Sequence, residues 1–173
     1  MRYLLILGLI LGGWAPLSSA RADESCGPKS GLCWPKVERG AKGPRVIALQ
    51  YLLRNRGYKV AADGKFAFAT ESAVRRFQAK NRLKVDGKLG WQSWEAITPD
   101  LKRGAKGNAV RALQTLLNFT HPKVAQDGFF GPETQKIVAK IQWNGAGSDP
   151  DQGEGEARVQ IWCFAAGGCY SGE

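Results

Sequence analysis

The sequence predicts a mainly α-helical protein built from two small three-helix units in tandem, of which the second has diverged. The first observation is a gapless internal repeat, in which residues 37–78 match residues 101–142 at about 20 of 42 positions. The second is the spacing of apolar residues, which recur at the intervals of amphipathic helices. The third is the presence of Gly, Pro and Asp-Gly pairs between these apolar segments, since such residues end helices and form tight turns.

The first unit is expected to contain three helices separated by two Asp-Gly turns. Apolar residues at helical spacing predict a helix over 44–56, and Gly57 follows where a left-handed C-cap favours glycine. A second helix is expected to begin at 70–72, and a third, short helix to cover 91–97. The two turns are Asp63-Gly64 and Asp86-Gly87.

The second unit repeats the first half of this pattern and then departs from it. The Arg-Gly-Ala-Lys-Gly loop of 39–43 returns at 103–107, but the second Asp-Gly turn is replaced by an acidic, Gly-rich stretch over 145–155. Trp162 matches Trp94 only if about four residues are inserted, which a surface loop tolerates. We therefore expect the second unit to bind a ligand differently or less well.

The order of these residues carries a resemblance to a known family. Gly43, Val46, Leu49-Gln50, Leu53, Gly57-Tyr58, Asp63-Gly64, Phe66, Thr70, Val74, Phe77-Gln78, Leu83, Asp86-Gly87, Gly90 and Trp94 stand in its characteristic order and spacing. In this respect the chain resembles the peptidoglycan-binding-like domain family, whose members are small three-helix modules often attached to bacterial cell-wall hydrolases. The resemblance covers 37–97 in full and 101–142 again.

The chain is divided into five segments on this interpretation. Residues 1–22 have the basic start, apolar run and small residues of a cleaved signal peptide, and the run is too short and interrupted for a membrane span. A Cys-containing segment covers 23–36, repeat one 37–98, the divergent repeat two 101–166 and a tail 167–173. The mature protein is expected to be secreted or extracytoplasmic, in the cell wall or periplasm, without stable membrane insertion.

Four cysteines stand near the ends of the mature chain and predict disulfides in an exported protein. Local pairing of Cys26 with Cys33 and of Cys163 with Cys169 is the simplest arrangement, and a clip between the two ends of the chain is the alternative. A zinc site is disfavoured, because the only histidine is His121 and no C-x2-C pair is present. No metal or other cofactor is predicted.

The charge is positive and uneven. The formal net charge is +10, and residues 34–123 hold 19 Lys and Arg against 6 Asp and Glu. This excess predicts a polyanionic partner contacted mainly by the first unit, and no nucleic-acid motif accompanies it. In an exported protein the expected partner is the cell-wall polymer, in line with the family resemblance.

Nine residues of the first unit are candidates for contact with peptidoglycan. Aromatic faces stack on sugar rings, and arginine pairs with carboxylates in bidentate geometry. The candidates are Tyr58, Phe68, Trp91, Arg54, Arg75, Arg76, Lys88, Gln50 and Gln78. For the two glutamines a structural role, hydrogen bonding to loop backbone, is the favoured alternative. We expect a shallow groove beside the first two helices.

Three functions are compatible with this pattern. The leading hypothesis is an exported, non-catalytic module that binds peptidoglycan through its tandem repeats, since linked weak sites raise avidity. A targeting or inhibitory subunit that binds a protein partner is the alternative. An accessory part of a cell-wall hydrolase is disfavoured, because no stretch of the sequence is left over for a catalytic domain.

Overall fold

The computed structural model describes residues 26–27, 32–120, 124–146 and 158–170. Within these ranges the chain is mainly helical, as predicted, with six helices and one two-stranded sheet. The elements are β1 (Leu32–Cys33), α1 (Pro44–Asn55), α2 (Phe68–Lys80), α3 (Trp91–Ile97), α4 (Asn108–Thr120), α5 (Pro132–Ala146), α6 (Val159–Ala165) and β2 (Cys169–Tyr170).

The start and end of α1 follow from its flanking residues. Pro44 occupies the first turn, where its missing N–H costs nothing. Gly57 has a φ of 86°, and the N–H of Tyr58 returns to the carbonyl of Leu53, so the chain leaves the helix through a left-handed glycine. This confirms the first predicted helix to within one residue.

The predicted start of the second helix was wrong by two residues. Helix α2 begins at Phe68 rather than at 70–72, because the extended backbone of Ala67 starts it and the N–H of Glu71 bonds to the Ala67 carbonyl at 3.0 Å. Thr70 therefore does not cap the helix. Its side chain is buried, and its hydroxyl accepts a hydrogen bond from the amide of Gln50.

The second unit reproduces a specific contact of the first. The indole Nε1 of Trp94 donates to the carbonyl of Pro35 at 2.9 Å, and that of Trp162 donates to the carbonyl of Pro99 at 2.8 Å. Both tryptophans are fully buried. Trp162 thus occupies in the second unit the place of Trp94 in the first, as the alignment with an insertion predicts; most of the acidic stretch itself, like His121, lies outside the described residues.

The two units share one hydrophobic core. Helix α1 packs most extensively against α4, and the two run in opposite directions, since Arg45 near the start of α1 lies against Phe119 near the end of α4. The fully buried residues of α1 and α4 include Val46, Leu49, Leu53, Val110, Leu113 and Leu117. Because this interface is apolar and continuous, it fixes the orientation of one unit relative to the other.

The N-terminal and C-terminal segments of the described chain meet. Strands β1 and β2 are antiparallel, with Cys33 opposite Cys169, and the predicted Cys26–Cys33 disulfide is present. The pairing of Cys163 with Cys169 stays a prediction, because the side chain of Cys169 lies outside the described residues. The predicted signal segment 1–22 also lies outside them. Among the described helices, none has the length and apolar character that a bilayer span requires.

Candidate ligand-binding site

Three buried glutamines hold the Asp-Gly turns from which the candidate surfaces are built. The Nε2 of Gln50 donates to the Oδ1 of Asp63 at 2.8 Å and to the carbonyl of Lys65 at 3.1 Å, while its Oε1 accepts the N–H of Gly64 at 2.9 Å. Gln78 makes the same set of bonds around Asp86-Gly87, and Gln114 makes it around Asp127-Gly128. Each glutamine is only 1% exposed, and the amides of Gln50 and Gln78 are occupied by hydrogen bonds to the turns.

The same bonds keep the turn carboxylates ionised. The pKa of Asp63 lies below its usual value because the backbone N–H of Lys65 and the Gln50 amide donate to the carboxylate. The pKa of Asp127 is lowered in the same way by the N–H of Phe129 and the Gln114 amide. At Asp86 partial burial acts to raise the pKa, but the N–H of Lys88 and the Gln78 amide outweigh it and the net shift is downward. All three turns are therefore fixed by charge-assisted hydrogen bonds.

One concavity beside the first unit surrounds Tyr58 and also touches the second unit. We refer to it as the Tyr58 concavity; its volume is about 550 Å³. It is lined by Arg54, Gly57, Tyr58, Lys59, Val60, Ala61 and Asn108. The Tyr58 ring packs edge-on against Phe77, and the guanidinium carbon of Arg76 lies 5.8 Å from the centre of the Tyr58 ring. Three sequence candidates, Tyr58, Arg54 and Arg76, are thus brought together here.

A second, smaller concavity lies beside α3. This Trp91 concavity, of about 190 Å³, is lined by Gln78, Lys84, Asp86, Lys88, Gly90, Trp91, Gln92 and Ser93. Trp91 is half-buried and packs against the core. Three further candidates, Gln78, Lys88 and Trp91, therefore share a surface that is separate from the Tyr58 concavity.

Lys88 of the Trp91 concavity and two nearby arginines are paired with carboxylates. Lys88 lies 3.0 Å from Glu38, and Glu71 receives Arg75 at 3.0 Å and Arg39 at 3.6 Å. The hydrogen bond from Lys88, with a second from Lys36, holds the pKa of Glu38 below its usual value, and Glu38 in turn raises the pKa of Lys88. In contrast, Arg54, Lys59 and Arg76 form no ion pair within the described residues.

Phe68 stands apart from both concavities. It is 70% exposed at the start of α2, with the guanidinium carbon of Arg39 at 5.9 Å from its ring centre. The candidates therefore occupy separate surfaces around the first unit rather than the single groove expected beside α1 and α2. Their roles as ligand contacts stay predictions.

Two polar residues that line the Tyr58 concavity were not among the sequence candidates. Lys59 follows Tyr58 directly and is exposed, and Asn108 comes from the start of α4 in the second unit. The positive charge of Lys59, next to the candidate Tyr58, could have identified it from the sequence. The position of Asn108 could not be predicted from the sequence, because it depends on how α4 lies against α1.

No group of three or more His, Cys, Asp or Glu side chains in the described ranges is arranged to hold a metal ion. What the fold and the surfaces define is a small helical module with polar, rigid turns and shallow open concavities. A family model described as the putative peptidoglycan binding domain matches residues 42–97, and the chain belongs to this family.

Individual relatives each match a little over a third of the chain. The spore cortex-lytic enzyme of Bacillus cereus is 39% identical over 67 residues, which are 38% of this chain and 26% of that enzyme. The crystal structure of the SleB N-terminal domain is 39% identical and covers 36% of this chain and 88% of its own, with a TM-score of 0.36. A peptidoglycan-binding protein from Clostridioides difficile is 35% identical over 36% of this chain and 40% of its own, with a TM-score of 0.36. The chain thus spans about a quarter of the length of the cortex-lytic enzyme.

Proposed function

We propose that this protein is an exported, non-catalytic module that binds bacterial peptidoglycan through the first unit, with the Tyr58 concavity as its principal contact surface. The observation that carries the proposal is the match of residues 42–97 to a peptidoglycan-binding domain, because Arg54, Tyr58 and Lys59 lie inside the matched range. The cysteine disulfide at 26–33 and the apolar N-terminal segment support export.

The chemistry of the Tyr58 concavity supports this choice of surface. Arg54 and Lys59 are exposed cations without ion pairs among the described residues, so they can receive a carboxylate without first breaking a salt bridge. The half-buried Tyr58 offers an aromatic surface that is already held in place by Phe77. Peptidoglycan combines sugar rings with peptide carboxylates and matches both features. The Trp91 concavity is the weaker choice, since Lys88 is already paired with Glu38.

Co-sedimentation of the mature protein with purified sacculi tests the proposal. We expect the wild-type protein to pellet with the sacculi, and Tyr58→Leu and Arg54→Gln to reduce the bound fraction several-fold. Lys80→Gln is the matched control, because it removes one exposed cation from α2 that lines none of the described concavities. A wild-type protein that stays in the supernatant would refute peptidoglycan binding.

Two further results would change the proposal in defined ways. If Trp91→Leu abolishes binding while Tyr58→Leu does not, the contact surface is the Trp91 concavity rather than the Tyr58 concavity, and peptidoglycan remains the partner. If the purified protein clears a sacculus-containing gel, the non-catalytic assignment is wrong. Retention on a protein partner without sacculus binding would favour the targeting or inhibitory alternative.

A further inference from the structure

The second unit carries a concavity of its own, at a place where the first unit has different residues. This Phe129 concavity has a volume of about 410 Å³ and is lined by Lys106, Gly107, Arg111, Asp127, Gly128 and Phe129. It adjoins the Tyr58 concavity across the start of α4, because Lys106 and Gly107 line one and the next residue, Asn108, lines the other. The two concavities are thus neighbours on either side of the same three residues.

The Phe129 ring is exposed, and its position is fixed by the turn beneath it. The ring is 40% exposed, although the N–H of Phe129 bonds to Asp127 at 2.8 Å and its carbonyl accepts the Gln114 amide at 3.0 Å. A Cβ at Gly131 would lie only 3.2 Å from the ring, so glycine at that position makes room for it. The backbone therefore presents an aromatic side chain outward that contributes little to the core.

Two cations line the concavity together with this ring. The ammonium of Lys106 lies 5.3 Å from the ring centre, and Arg111 extends across Gly128 to donate from Nη1 to the carbonyl of Gln126 at 2.9 Å. Arg111 also lies close enough to Asp127 to contribute to the lowering of its pKa. Within the described residues, neither cation has a carboxylate at salt-bridge distance. The Arg111 guanidinium is consequently held in place with N–H groups left to donate.

The first unit has different residues at the equivalent places. Ile47 stands where the second unit has Arg111, and Lys65 stands where it has Phe129. The backbone of Lys42 forms an isolated β-bridge with that of Lys65 in the first unit, and Lys106 forms the equivalent β-bridge with Phe129 in the second. The first turn therefore has two lysines and an isoleucine at these positions, whereas the second has a phenylalanine, a lysine and an arginine.

We propose that the Phe129 and Tyr58 concavities form one binding surface across both units, and that Lys106, Arg111 and Phe129 contact a carboxylate-bearing peptide stem of the wall polymer. This rests on the proposed function and assigns to the second unit a contact role of its own. The charge of the surface selects an anionic occupant, and the exposed Phe129 and the half-buried Tyr58 favour one that also offers apolar or sugar faces. The shared core of α1 and α4 holds the two concavities in a fixed relation. Binding of one polymer strand to both therefore does not require the two units to be ordered relative to each other.

The test exchanges residues between the two units. The double variant Arg111→Ile with Phe129→Lys gives the second turn the residues of the first, leaves the net charge unchanged and uses side chains that the first unit already accommodates. We expect it to bind purified sacculi about three- to tenfold more weakly than the wild type, the range for losing one charge-assisted contact and one aromatic contact at a partly exposed site. Lys106→Gln, which changes only an exposed side chain, is expected to weaken binding about two- to fivefold and serves if the double variant does not fold.

The outcomes separate this inference from the proposed function. If the double variant and Lys106→Gln bind like the wild type while Tyr58→Leu does not, the second-unit surface is wrong and the first-unit site stands. If the wild type does not sediment with sacculi, both proposals fail together. A second experiment uses sacculi whose stem carboxylates have been converted to amides. Binding of the wild type to these sacculi should fall, and the wild type should then bind no more tightly than the double variant. Unchanged binding to the amidated sacculi would overturn the carboxylate assignment.

Discussion

Replacement of Gln50 by leucine is expected to destabilise the protein out of proportion to its size. The side chain is buried, and its amide makes hydrogen bonds to Asp63, Lys65, Gly64 and Thr70. Leucine has a similar volume, so the change removes hydrogen bonds with little change in packing. The N–H of Gly64, which bonds to Gln50 in a buried position, would be left without an acceptor.

The magnitude follows from the bonds that are lost. A buried donor without a partner costs about 1–3 kcal/mol, and the net loss of further hydrogen bonds adds about 1 kcal/mol each. The gain from burying an apolar side chain offsets part of this. We therefore expect a loss of roughly 2–4 kcal/mol in the free energy of unfolding, a large share of the total of about 5–15 kcal/mol typical of such proteins.

Urea denaturation followed by tryptophan fluorescence measures this loss as a lower midpoint. Gln160→Leu is the matched control, because Gln160 is exposed on α6 and its replacement should change the free energy by less than about 0.5 kcal/mol. A Gln50→Leu protein as stable as the control would refute the view that this glutamine organises the turn.

Three other perturbations have defined outcomes. Because the pKa of Asp63 is lowered in the folded protein, its ionised carboxylate stabilises the fold above the ordinary pKa of 3.8. This stabilisation is lost as the pH falls through the lower pKa of the folded state. The unfolding midpoint should therefore drop in acid, and it should drop less in Asp63→Asn. In Lys88→Met, the pKa of Glu38 measured by NMR titration should rise towards its ordinary value of 4.5, and no rise would contradict the ion pair. Arg45→Lys should speed hydrogen exchange in α6, because Arg45 Nε donates to the Ala166 carbonyl at 2.6 Å; Arg56→Lys, which loses bonds only to the end of α3, should not.

Local features of the fold were predictable because they depend on residues close in sequence. The spacing of Val46, Leu49 and Leu53 predicted α1, and glycine at 57 predicted its end. The Asp-Gly pairs predicted turns at 63–64 and 86–87, where Gly64 has a φ of 72°. The start of α2 was predicted two residues too late, at Thr70, which instead lies inside the helix with its buried side chain bonded to the Gln50 amide.

The arrangement of the two units was harder to predict. The burial of Ala48 together with Leu49, Leu52 and Leu53 means that α1 is covered around most of its circumference, which requires a second partner besides α2. That pattern was present in the sequence, but it does not identify α4 as the partner. The Tyr58 concavity could not be assembled from sequence for the same reason, since Asn108 reaches it only through this packing.

The common core changes how the duplication is interpreted. Two sites on a flexible linker gain avidity through a high effective concentration, which falls as the linker lengthens. Here α1 and α4 pack together, and Arg45 ties the start of α1 to the end of α6, so the separation of the two concavities is set by the fold. If the proposed surface binds one ligand, the different residues at 111 and 129 have a physical consequence, because the two halves of a fixed surface would then contact different groups of that ligand. Two identical halves would repeat the same contact, whereas a polymer strand that lies across both concavities presents different groups to each.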